Sequence, residues 1–180
     1  MTDNEMTFKV SIEGMAPILF NRFPDEENPD EKSKTPSGRL NQDEQVKQSL
    51  YFDGDKIYQP AEHIVGAMVK AGAQFKLKGK QTYKDVVKGG VFVEPMKIIH
   101  ENQKYINDWR SVVIKATRGR IMKGRGRLDK WSLSFNISCI DPRATEKDLK
   151  DILVYAGKFI GIGDYRPRYG RFEVKSFKKV

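Results

Sequence analysis

Arginine next to glycine is the combination in this sequence best suited to holding phosphate, and it occurs in two stretches. The first is Arg118-Gly-Arg-Ile-Met-Lys-Gly-Arg-Gly-Arg127. Between residues 110 and 130, eight basic side chains stand against one acid, Asp129. Glycine lets a backbone come close to a phosphate while guanidinium groups fork onto its oxygens. Lys115, Arg118, Arg120, Lys123, Arg125 and Arg127 are therefore expected to grip a phosphate backbone. The alternative is a charged hairpin that serves only solvation. The second stretch is Gly161-Ile-Gly-Asp-Tyr-Arg-Pro-Arg-Tyr-Gly-Arg-Phe172. Here Arg166, Arg168 and Arg171 are expected to hold phosphates while Tyr165 and Tyr169 stack on bases. A glycine-ended helix followed by an ordinary turn is the plainer reading. Three arginines and two tyrosines exceed what a turn requires.

Other chemistries find little support. Cys139 is the only cysteine, and with His63 and His100 it makes no zinc-ligand spacing, so no metal or cofactor is expected. Asp53-Gly-Asp55 has the form of a two-carboxylate metal pair, but Asp-Gly is the usual hairpin turn. No phosphate-binding Gly-Lys-Ser/Thr motif, nucleophile elbow or dinucleotide fingerprint occurs. Lys123-Gly-Arg-Gly126 resembles part of the RNA-recognition-motif octapeptide, yet Arg125 and Leu128 stand where that motif needs aromatics. Trp109 and Trp131 read as core.

The charge points the same way as the two stretches. The chain has 180 residues, is 38% apolar and carries a net charge of +9. Residues 1–50 are net −4 and residues 51–180 net +13, which points to a polyanionic partner. The N-terminal MTDNEMTF is acidic and polar, unlike a secretory signal, and no apolar run reaches the roughly 20 residues of a membrane helix. A cytoplasmic setting without membrane contact is expected.

Hydrophobic periodicity supplies the elements that must position these residues. Phe8, Val10 and Ile12 alternate as a half-buried strand, as do Trp131, Leu133, Phe135 and Ile137. Residues 21–41 read as a mobile loop, with five acids in 25–31, and a short helix follows over 42–50. Residues 51–58 read as a hairpin turning at Asp53-Gly54. Pro60 opens a helix whose apolar face is Ile64, Ala67, Met68, Ala71 and Phe75. A lysine-rich connection covers 76–90, a strand 91–99 and another 110–116. Thr145 with Asp148 caps a second helix, with Leu149, Ile152, Leu153, Ala156 and Ile160 inward. Phe172, Val174 and Phe177 end the chain as a strand whose alternation slips. Set apart from the insertions, the order is βαββαβ. That predicts one α+β domain over 1–180, an antiparallel sheet of RRM or ferredoxin-like type with a basic β-hairpin inserted at 100–130. Its open sheet face would suit single strands.

Tyr58-Gln-Pro-Ala-Glu-His-Ile-Val-Gly-Ala-Met-Val69 resembles the strand-to-helix entry of the RAMP superfamily, the repeat-associated proteins of CRISPR systems. The glycine loop 161–170 is similar to the one those proteins carry before their last strand, and the chain also resembles uncharacterised proteins of phages and mobile elements. The resemblance implies a backbone-type subunit that binds a single strand in several copies, as a filament, with Arg110–Lys130 as a projecting hairpin. It also implies an alternative, metal-independent RNA cleavage, for which His63 is the candidate general acid or base. The plainer role for His63 is packing at a helix start. The expectation is therefore a non-catalytic binder of single-stranded DNA or RNA, largely indifferent to sequence. An adaptor for an acidic protein is the other alternative.

Overall fold

The computed structural model describes residues 5–22, 42–113 and 118–180. The acidic run 25–31, nearly all of the expected 21–41 loop, and Lys115 lie outside these residues. At the centre is a sheet of β1 (Met6–Gly14), β7 (Val91–Glu94), β11 (Ser132–Cys139) and β12 (Phe172–Lys179), ordered β12-β1-β11-β7 with antiparallel neighbours. Register follows from the alternation. Phe8, Val10 and Ile12 of β1 lie opposite Ile137, Phe135 and Leu133 of β11, so all six apolar side chains share the buried face. The slip in β12 is a bulge: Val174 pairs with Ile12 but Ser176 with Ser11, leaving Lys175 as the extra residue. The extra residue returns Phe177 to the covered face, where its ring stacks on Phe8 at 4.6 Å.

Two helices cover that face. α2 (Ala61–Gly72) buries Ile64, Ala67, Met68 and Ala71, the predicted stripe. Phe75 lies beyond the helix end, edge-on to Tyr155 at 5.6 Å. α4 (Glu146–Tyr155) starts at the predicted capping box, with the Thr145 hydroxyl accepting from the Asp148 N–H and the Asp148 carboxylate accepting from the Thr145 N–H. It buries Leu149, Ile152 and Leu153, each worth roughly 1.5–3 kcal/mol of transfer free energy. A π turn over Ala156–Ile160 extends it to Gly161.

Two expectations need correction. The strand over 91–99 is two strands. After β7, Pro95 removes a ladder donor, and β8 (Lys97–Ile99) leaves the central sheet to pair with β4 (Lys56–Pro60), which also pairs with β3 (Phe52–Asp53). The lysine-rich connection is structured, as a hairpin of β5 (Lys76–Lys78) and β6 (Gln81–Thr82) followed by helix α3 (Lys84–Gly90). Its strands of three and two residues give alternation too little length to show. The uncovered face of the central sheet presents Lys9, Glu13, Ser134, Asn136, Glu94 and Glu173, with Phe92 its exposed aromatic. The face is open, as expected, and its lining is mixed charge and serines.

The basic stretch forms a separate sheet, β2 (Ile18–Leu19), β10 (Arg120–Leu128) and β9 (Ile106–Val113), in that order. The strand expected over 110–116 is β9, which begins at Ile106, and the expected end at 116 lies outside the described residues. Helix α1 (Gln42–Gln48) packs across β10.

Candidate nucleic-acid interface

The glycines of the basic hairpin serve packing. A Cβ on Gly124 would fall 2.7 Å from the Trp109 ring and 2.8 Å from Val46; one on Gly126 would fall 2.5 Å from Leu50. Their N–H groups donate to Gln45 Oε1 at 3.0 Å and Ser49 Oγ at 2.7 Å. So they let α1 and its flank lie against β10, which corrects their reading as sites of phosphate approach. Strand alternation sends Lys123, Arg125 and Arg127 to the other side.

On that side the arginines meet more acid than the local sequence shows. Asp108, with a side chain only 3% exposed, takes Arg110 Nε at 2.5 Å and Arg127 Nη1 at 2.7 Å. Arg127 Nε also reaches Asp129 at 2.7 Å, and Arg125 Nε lies 3.0 Å from Asp164. The hydrogen bond from Arg110, helped by Arg127 against the cost of burial, holds the Asp108 carboxyl below its usual range. Lys123 is pushed down, first by burial and then by Arg125. The picture of eight cations facing Asp129 alone is thereby corrected: Arg110, Arg125 and Arg127 are engaged. Arg118 and Arg120, nearer the hairpin end, are exposed. Trp131 is core, as expected, and its Nε1–H donates to Ala16 O at 2.8 Å, whereas Trp109 is half-buried.

The glycine loop is a closed backbone structure. Ile162 N–H donates to Gly170 O at 2.9 Å, Gly170 N–H to Pro17 O at 2.8 Å, and Asp164 N–H to Leu19 O at 2.7 Å. Gly163 (φ 80°) and Gly170 (φ 71°) take left-handed conformations, and a Cβ on Gly163 would sit 2.7 Å from Leu19 O. Tyr165 is also left-handed, φ 56°, which is costly for an aromatic residue and holds its ring outward, 56% exposed. Tyr169 differs: its hydroxyl accepts from Arg110, whose guanidinium carbon lies 4.9 Å from the ring centre. The two rings are 5.9 Å apart. The ring available for stacking is thus Tyr165, while Tyr169 ties the loop to the hairpin. Arg166, Arg168 and Arg171 are exposed.

Two recesses flank Asp164. An open cleft of about 380 Å³ is lined by Lys70, Phe159, Tyr165, Arg166 and Pro167. Phe159 is 59% exposed and leans on Tyr155 at 4.6 Å. Phe159 and Lys70 were missed in the sequence because both sit off the apolar stripes of their helices. The other recess, about 120 Å³, is lined by Phe20, Asn21, Tyr51, His63, Gly163 and Asp164. His63 hydrogen-bonds Gln59 and meets the Tyr51 ring edge-on at 5.6 Å. Burial, then the Arg166 charge, pushes its pKa below the ordinary value despite Glu62, which keeps the ring neutral at pH 7. Asp53 pairs with Lys97 at 2.6 Å beside its turn. Among the described residues no cluster of three metal-ligating side chains occurs, and no helix is long and apolar enough to cross a membrane.

No family model matches the chain, and no curated protein does. Among solved structures, the Type III-B Cmr-beta complex bound to cognate target RNA contains a chain that superposes with a TM-score of 0.63 at 13% identity. The match covers 98% of this chain and 61% of that one, less than two thirds of its length. At that identity the likeness is one of fold. It shows that this mixed α+β chain shares that chain's fold.

Proposed function

We propose that the chain binds single-stranded nucleic acid in the cleft beside the glycine loop, as a RAMP-type module built on a ferredoxin-like core. The sheet order β12-β1-β11-β7, with α2 and α4 as the two helices of a βαββαβ core, supports the second part. The observation that carries the first is the cleft itself. Two exposed aromatic rings, Phe159 and Tyr165, stand with the cations Lys70 and Arg166 on a loop fixed by its own backbone bonds. Rings accept the face of any base, and cations follow the phosphates. Arg168 and Arg171 of the same loop, and Arg118 and Arg120 of the hairpin, are further exposed cations for phosphates. The Cmr-beta complex is bound to target RNA, so RNA is the first strand to test.

The test is binding of labelled oligouridine, oligothymidine and a duplex across a salt series. Single strands should bind more tightly than duplex. The slope of log K on log salt should be about −0.7 per phosphate contact, steeper than about −2 in total. A flat salt response, or equal affinity for duplex, contradicts the proposal.

A further inference from the structure

The smaller recess differs from the open cleft in size and shares only Asp164 of its lining. On the scale where one water needs about 10–15 Å³, 120 Å³ is room for several waters or for one flat base. A whole nucleotide needs more. The walls are aromatic, from Phe20 and Tyr51, and the polar groups are few and of definite kinds. Asp164 offers acceptors only: one carboxylate oxygen lies 3.0 Å from Arg125 Nε as an ion pair without hydrogen-bond geometry, so both oxygens keep lone pairs for donors. His63 is neutral, and its Nδ1 faces the Gln59 amide nitrogen, a donor. With the amide nitrogen donating, Nδ1 accepts and the proton sits on Nε2, which then offers a donor to the recess. The Asn21 amide supplies both a donor and an acceptor.

A carboxylate beside imidazole and amide donors selects among the bases. Guanine alone presents two adjacent N–H donors, N1–H and the 2-amino group, to a carboxylate, and it carries the acceptors O6 and N7 for N–H groups. Adenine and cytosine each offer a carboxylate one amino group, and uracil one imide N–H. We propose that the recess between His63 and the glycine loop is a single-base pocket that takes a guanine flipped from the strand in the neighbouring cleft. Asp164 would read N1–H and the amino group, and His63 with Asn21 would read the acceptor edge. This rests on the single-strand reading above and adds one selective position to a site otherwise indifferent to sequence.

Two measurements separate the pocket from that reading. In the first, oligouridine carrying one internal G, A or C is bound by wild type, Asp164→Asn and Asn21→Ala. The G-containing strand should bind wild type about tenfold tighter than the A- or C-containing strands, a preference the variants lose. Equal affinities for all three, with salt-sensitive binding intact, overturn the pocket and leave the single-strand reading standing. In the second, the His63 ring resonances are followed by NMR during titration with guanosine, adenosine, cytidine or uridine monophosphate. Guanosine monophosphate should shift them at the lowest concentration. No shift, or equal shifts with all four, overturns the pocket even if no oligonucleotide binds. Asn21→Ala touches no ion pair, so it still reports if Asp164→Asn disturbs Arg125.

Discussion

The base of the basic hairpin and the glycine loop share a composition and do different work. In the hairpin, glycine is there to be small: Val46 and Leu50 of the α1 region occupy the space that side chains at 124 and 126 would fill. Its arginines close onto Asp108, Asp129 and Asp164. In the loop, glycine provides left-handed backbone, and Tyr165 and Arg166 are turned out to solvent. A row of arginines is therefore free to meet a partner only where no carboxylate of the fold reaches it. Asp164 shows the two regions meeting: it belongs to the loop and neutralises the hairpin.

The comparison breaks most visibly at Asp108. Asp108→Ala leaves the partly exposed Arg110 and Arg127 without their shared partner and should cost about 3 kcal/mol in urea unfolding, the worth of the charge-assisted hydrogen bonds lost. The pH dependence follows from the lowered carboxyl. With a folded pKa below the unfolded value near 3.9, its stabilisation is fully present above that value. It is lost as pH falls through the folded pKa. Wild type should therefore lose stability in acid more steeply than Asp108→Asn; identical acid limbs would show the pair to be idle.

Next in size is the loop's charge. Replacing Arg166, Arg168 and Arg171 with Ala removes three contacts, reducing the salt slope by about 2 and weakening single-strand binding about fiftyfold at 0.15 M salt. Unchanged thermal unfolding must accompany the loss, since a collapsed loop would give the same result.

The tyrosines sharpen the contrast within the loop. Tyr165→Ala should weaken single-strand binding about tenfold, the worth of one stacked base, with little change in duplex binding. Tyr169→Ala should act mainly on stability, because its ring lies under Arg110. The reverse pattern would make Tyr169 the stacking residue. His63→Ala should have the smallest effect, about 1 kcal/mol of stability. RNA incubated with wild type in EDTA should stay intact. Cleavage by wild type that the variant lacks would replace the binding account with a nuclease.

Much of the scaffold was legible because it is local. Alternation in β1 and β11, the stripe of α2 and the Thr145–Asp148 cap each lie within one element, where sequence spacing maps directly onto geometry. Even the slipped alternation at Phe177 was a true record of the bulge at Lys175. The site was legible by residue type only. Nothing near Arg125 in sequence announces Asp164, and nothing in the type of Tyr165 or Tyr169 says which ring Arg110 will cover. Phe159 escaped notice for the reason it matters: it is an aromatic on the side of its helix that does not face the core.

The most direct test of the account is the affinity of folded Tyr165→Ala/Arg166→Ala protein for labelled oligouridine at about 0.15 M salt, measured beside wild type by fluorescence anisotropy. The account predicts a loss of at least tenfold with circular dichroism and melting temperature unchanged. Equal affinity of the two proteins would contradict it and make the loop an ordinary turn.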